Sequence, residues 1–175
     1  MNNEHTLKKF EEIAAIWEQE IAHYSLEELL KKPSEDAWSM GQLYNHLVTS
    51  GLNFHLKQVE TCITSNENAK KNKNFKSFIT YNILGKLPPV KVKVPPSDAY
   101  TPKQPKNKQE ILDGLVQIQQ KMKETLPLLK NAKFRGKTAH PALGFLNAAQ
   151  WYKLVEMHFN HHLMQKKNLD AFLNK

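Results

Sequence analysis

Three imidazoles fall within five positions near the C-terminal end of the chain, in EMHFNHHLMQ (156–165). At about 100° per residue, a helix places His158 and His162 about 40° apart and one turn from each other, where two imidazoles can share one ion. His161 and Gln165 fall on or beside that face, and Trp151, Leu154 and Val155 continue it toward an apolar interior. Buried imidazoles need partners for their ring nitrogens, and a metal ion is one such partner. An HxxxH spacing is weak on its own, and hydrogen-bonded core histidines or surface histidines read the same way. A second polar set surrounds His46, where Gln42, Thr49, Ser50 and Asn53 flank the apolar Leu43 and Leu47. That face suggests a wet pocket, although His46 could equally anchor a polar network or face solvent.

The other reactive side chains are less well placed. Nine positions separate His55 from His46, about 180° of helix, so His55 is expected to face away; His5 and His23 look peripheral. Glu156 projects about 200° from His158, a poor position for a general base. His140, followed by Pro141, reads as a residue that orders the loop before the last helix. Trp17, Trp38 and Trp151 read as core aromatics, with Trp38 also near the mouth of the His46 helix. Cys62, the only cysteine, reads as a small buried apolar residue; it excludes an internal disulfide, a cysteine zinc cluster and a redox pair.

The elements that must position these groups follow from apolar spacing. Leu7, Phe10, Ile13, Ala14, Ile16, Trp17 and Ile21 predict a helix over 6–23. Ser25 with Glu28 forms a capping box for a short helix that Pro33 stops. Ser39 with Gln42 caps a helix running to about Ile63, in which Gly51 costs roughly 1 kcal/mol unless close packing needs it. Residues 108–130 form a third long helix, with Pro127 in its last turn, and Asn147 caps a fourth that runs to about Leu173. Between them, 65–107 holds six of the nine prolines and reads as a long crossover: a short helix over 75–84, an extended edge strand at KVKV (91–94), and part of the segment packed over one end of the core. The stretch from Asn131 to Leu146 reads as a loop. One domain over 1–175, all-α, with four long helices and one long crossover, is a four-helix bundle, whose sites arise from inward side chains on facing helices.

Composition narrows the function classes. The chain is 40% hydrophobic and 24% charged, as ordinary folded proteins are. Its formal charge of +8 lies largely in the Asn- and Pro-rich stretches 70–76 and 86–108, and Arg135 is the only arginine, which argues against a nucleic-acid groove. No run approaches membrane-spanning length and the N-terminal stretch lacks the apolar core of a secretory signal, so a cytoplasmic protein is expected. No glycine-rich phosphate loop, GxSxG elbow or CxxC occurs.

The stretch Trp38-Ser39-Met40-Gly41-Gln42-Leu43-Tyr44-Asn45-His46-Leu47 resembles the helix-two signature of the DinB-like (DinB/YfiT-like) superfamily, and His158-xxx-His162-xx-Gln165 its helix-four signature. HPALGFLNAAQWYKLVEMHFNHHLMQ (140–165) is similar to one branch of unassigned function, with an HPxxGxL element before a Trp and an HxxHHLxQ run. The resemblance implies a four-helix bundle, often dimeric, with a divalent metal held by His46, His158 and His162. Relatives commonly carry Arg-Gly-Gln after the last histidine; Leu163-Met164-Gln165 stand here, so the Arg has no counterpart. Three neutral nitrogens leave coordination positions open, and the ion, zinc or nickel first and manganese or iron next, can activate water or a low-molecular-weight thiol. His161 and Gln165 are candidates to orient a ligand imidazole or contact substrate. Two functions follow: a metal-dependent hydrolase or thiol S-transferase acting on a small molecule, or a non-catalytic metal- or ligand-binding module of the same fold.

Overall fold

A computed structural model describes residues 2–87 and 101–174. Helix α1 (Asn3–Glu20) starts where the Asn2 side chain accepts from the His5 amide, and closes in a 3-10 turn, Ile21–His23. Ser25 and Glu28 cap the short α2 (Leu26–Leu30) with the reciprocal bonds their spacing predicts. Helix α3 (Met40–Ser50) begins with the Ser39/Gln42 capping box, passes through π-helical turns at Gly51–Leu56 and continues as α4 (Lys57–Thr64). A short α5 (Phe75–Phe78) also runs into π turns, Ile79–Leu84. Helix α6 (Lys108–Lys130) absorbs Pro127 within its last turn. Strands β1 (Lys137–His140) and β2 (Gly144–Asn147) pair antiparallel, Thr138 facing Leu146, before α7 (Ala148–His161) and α8 (Leu163–Leu173).

Four helical rods therefore make the bundle: α1, α3–α4, α6 and α7–α8. Helix α1 packs on α6 and α7, and the α3–α4 rod packs on the same two from the other side. The core between them buries Phe10, Trp17, Leu43, Tyr44, Leu47, Leu115, Ile118, Trp151, Tyr152 and Phe159. Each of the large tyrosines finds a backbone acceptor, Tyr44 on Trp17 O at 2.8 Å and Tyr152 on Met122 O at 2.9 Å, which removes the penalty for burying a hydroxyl. Gly51 is demanded by packing: a Cβ there would lie 2.1 Å from Ile118 Cδ1.

Two local expectations change. The predicted loop before the last helix contains the β1–β2 hairpin, anchored where the Gly136 amide donates to Cys62 O at 3.0 Å and Lys137 N to Glu67 O at 2.9 Å. The last helix breaks at His162, whose backbone ends α7 and opens α8. The crossover packs at both described ends. Tyr81 donates to Gln150 O at 3.0 Å, Gln42 Nε2 donates to Pro102 O at 2.8 Å, and Pro105 fills the space that the missing Cβ of Gly41 leaves. The strand expected at 91–94 lies outside the described residues. Among the described residues, no helix is long and apolar enough to cross a membrane.

Candidate metal centre

His46 on α3, His158 on α7 and His162 at the α7–α8 break meet at one point. His158 Nε2 lies 3.0 Å from His46 Nε2 and 3.0 Å from His162 Nε2, and one ligand atom from each ring falls within 4.8 Å of the others. The capping box at Ser39 fixes where α3 starts and so the phase of His46, while the one-turn spacing on the last rod aligns the other two. Trp38, just before that cap, lies against His46 with ring centroids 4.8 Å apart.

The hydrogen bonds behind the rings set the tautomers. His162 Nδ1 is 2.9 Å from Gln165 Oε1, an acceptor, so that nitrogen carries the proton and Nε2 presents a lone pair. His158 Nδ1 lies 3.3 Å from Ser50 Oγ, whose own proton goes to His46 O at 2.5 Å; the hydroxyl then accepts from Nδ1–H, again leaving Nε2 bare. Burial keeps the rings neutral. His46 is pushed down to about 3 by burial and then by the charge of His162. His158 falls well below the usual imidazole value, from burial first and the neighbouring histidines second. His162 is pushed down to about 4 by burial, opposed by its bond to Gln165.

His158 and His162 therefore bring two bare Nε2 lone pairs to 3.0 Å with no proton between them, an arrangement that repels. A cation at the common point relieves it, so the donor set fits a divalent ion.

The profile of the DinB superfamily matches residues 9–165. The chain belongs to the DinB superfamily. Its bundle is similar in structure to YfiT from Bacillus subtilis, described as a probable metal-dependent hydrolase with an unusual four-helix bundle topology. The TM-score is 0.66 at 14% sequence identity, over 98% of this chain and 87% of that one. No curated protein matches the chain significantly in sequence.

Around the triad, this DinB-superfamily chain departs from simple expectation. Gln165 acts on His162, as its spacing suggests. His161 is half-buried with its ring 5.2 Å from that of His162, and burial lowers its pKa. Leu163 packs on the core and Met164 is exposed, in the positions where relatives commonly carry Arg-Gly. Gln42 is spent on the helix cap, and Thr49 and Asn53 face solvent, leaving Ser50 as the polar residue of that face that touches the site. Glu156 is buried against Lys153 and Asn160, away from the imidazoles as predicted.

His55 does not face away. It is 5% exposed, with its ring 5.1 Å from that of His158 and 6.0 Å from Trp151. The 180° expectation assumed a regular α-helix, whereas each i→i+5 turn between Gly51 and Leu56 advances fewer degrees per residue and swings His55 inward. His140 also comes closer than its loop position suggested: its ring lies 5.3 Å from Trp151, and its Nδ1 accepts from the Ala142 amide. Nothing in a single sequence announces a π turn.

Proposed function

We propose that His46, His158 and His162 hold one divalent metal ion, and that the protein is a metal-dependent hydrolase acting on a small molecule. The observation that carries this is the convergence of the ring nitrogens, with Ser50 and Gln165 placed to keep the protons of His158 and His162 on the far side. Three neutral imidazoles leave positions open on a bound ion, which supplies a Lewis acid and brings the pKa of bound water toward neutrality. Ser50 holds the Nδ1 proton of His158 and ties it to the α3 backbone. Gln165 performs the same task for His162 across the break between the last two helices. Trp38 covers one side of His46 and limits its rotation. The description of YfiT supports hydrolysis over transfer to a thiol, and the thiol remains an alternative nucleophile for the same centre.

The test is metal analysis of purified protein beside His162→Ala and His46→Ala. Wild type should carry about one ion per chain and each variant far less, because two remaining imidazoles hold an ion weakly. Equal metal content in all three would refute the assignment. Metal-loaded protein should then cleave small esters or amides, or join a thiol to a small electrophile. A stably loaded protein that turns over neither would be a binding module. A homodimer in the cytoplasm belongs to the same proposal; the superfamily resemblance supports the first part and the lone buried Cys62 the second.

A further inference from the structure

A cleft of about 320 Å³ opens where the start of α1 meets α7 and the segment 73–82, lined among others by His5, Lys73, Tyr81, Asn82, Gln150 and Lys153. None of the converging imidazoles lines it. Lys153 and His158 are five positions apart on α7, about 140° of helix, which sets the cleft on another face from the metal centre.

The lining is unusual in its donors. Gln150 is 8% exposed, and its Oε1 is committed to the Asn147 amide at 3.0 Å in the capping box of α7. That bond turns Nε2 the other way, where it has no partner among the described residues. The cleft is the space this side chain lines. Two lysines stand beside it. Lys153 pairs with Glu156 behind the wall, whereas among the described residues the Lys73 ammonium meets the neutral Asn82 Oδ1, at 2.5 Å, and the ring of Phe78. The eighteen-residue α1 points its N-terminal end, the positive end of its dipole, into the same region through Asn2, His5 and Thr6. No carboxylate lines the cleft among the described residues, and the acid of the first turn of α1, Glu4, is engaged by Lys130.

Ammonium groups, an amide donor and a helix N-terminus around a space at the small end of ligand pockets, roughly 300–1,000 Å³, favour a compact anion. We propose that this cleft binds a small ligand through a carboxylate or phosphate group, with Gln150 Nε2 and Lys73 as its principal donors. The site needs no metal and stands apart from the hydrolase reading.

The test uses the full chain, labelled with ¹⁵N, titrated with inorganic phosphate and separately with succinate at constant ionic strength. The Gln150 side-chain amide resonance, identified by its absence in Gln150→Glu, should shift saturably. Saturation by phosphate alone, by succinate alone or by both supports the site and tells which oxyanion it prefers. Gln150→Glu keeps the acceptor that the Asn147 amide needs, so the helix start survives while the donor becomes a negative charge; affinity should fall more than about tenfold. Lys73→Ala, a change at the rim, should weaken binding about fivefold with the thermal midpoint unchanged. Absence of a saturable shift with both anions, or binding undiminished in both variants, overturns the proposal.

Discussion

A histidine can hold a metal only through a bare ring nitrogen, and Ser50 and Gln165 decide which nitrogen is bare in two rings of the triad. Ser50 and Gln165 each face an Nδ1 of the triad and leave Nε2 free at the centre. Removing such a partner typically costs 10–100-fold in metal affinity. Gln165→Leu should therefore lower affinity about tenfold or more in competition with a coloured chelator, while the unfolding midpoint of metal-free protein moves little, because Gln165 is only half-buried. Unchanged affinity would mean that the tautomer of His162 is set elsewhere. At this scale the sequence is legible where residue type alone carries the chemistry: His46, His158 and His162 stand out by spacing and by the superfamily signature, and Gln165 by its place one turn on. Ser50 is visible only as one polar residue among several, since its contact with His158 spans 108 positions of chain.

Between residue and fold stand the helices, where apolar periodicity fixes most boundaries and fails where the backbone leaves the α geometry. Ser25, Ser39 and Asn147 cap helices through their side chains, which is why those starts can be read directly, and the structure adds Asn107 as the cap of α6. The hairpin escapes notice because KTAH and GFLN are four residues each and hold one β-branched residue between them, too little pattern to compete with a loop. The π turns at Gly51–Leu56 escape because apolar spacing does not separate an i→i+5 turn from an α-helical one. Gly51→Ala should destabilise by about 1–3 kcal/mol in urea unfolding, since the added methyl meets Ile118 Cδ1 and both rods are held by neighbours. The same turns bring His55 inside with its Nδ1 buried and unpartnered among the described residues. Burying a polar atom without a partner costs stability, so His55→Leu should leave metal-free protein as stable or raise it by about 1 kcal/mol. A loss of several kcal/mol would show that His55 makes a bond the contacts do not reveal.

For the molecule as a whole, burying so many imidazoles in one region ties folding to pH. Burial holds His46 and His55 down at about 3 and His140 and His162 at about 4, against 6.5 in ordinary surroundings. The unfolded chain therefore binds more protons than the folded one below pH 6.5, and stability rises with pH across that range. The contribution is fully present above about pH 6.5 and drains as pH falls toward the folded values, by up to about 1.4 kcal/mol per pH unit for each buried ring. Chelated protein should show a thermal midpoint that is flat from pH 8 to 7 and declines from pH 6.5 to 5, ahead of the range where carboxylates titrate. His55→Leu removes one of these groups and should make the decline shallower. With an ion held as proposed, saturating metal should add about 4 kcal/mol of stability at a thousandfold excess over its dissociation constant. A chelated protein as stable at pH 5 as at pH 7.5 would mean that the imidazoles gain protons without unfolding the bundle, and the neutral imidazole cluster inferred from burial would not survive that result.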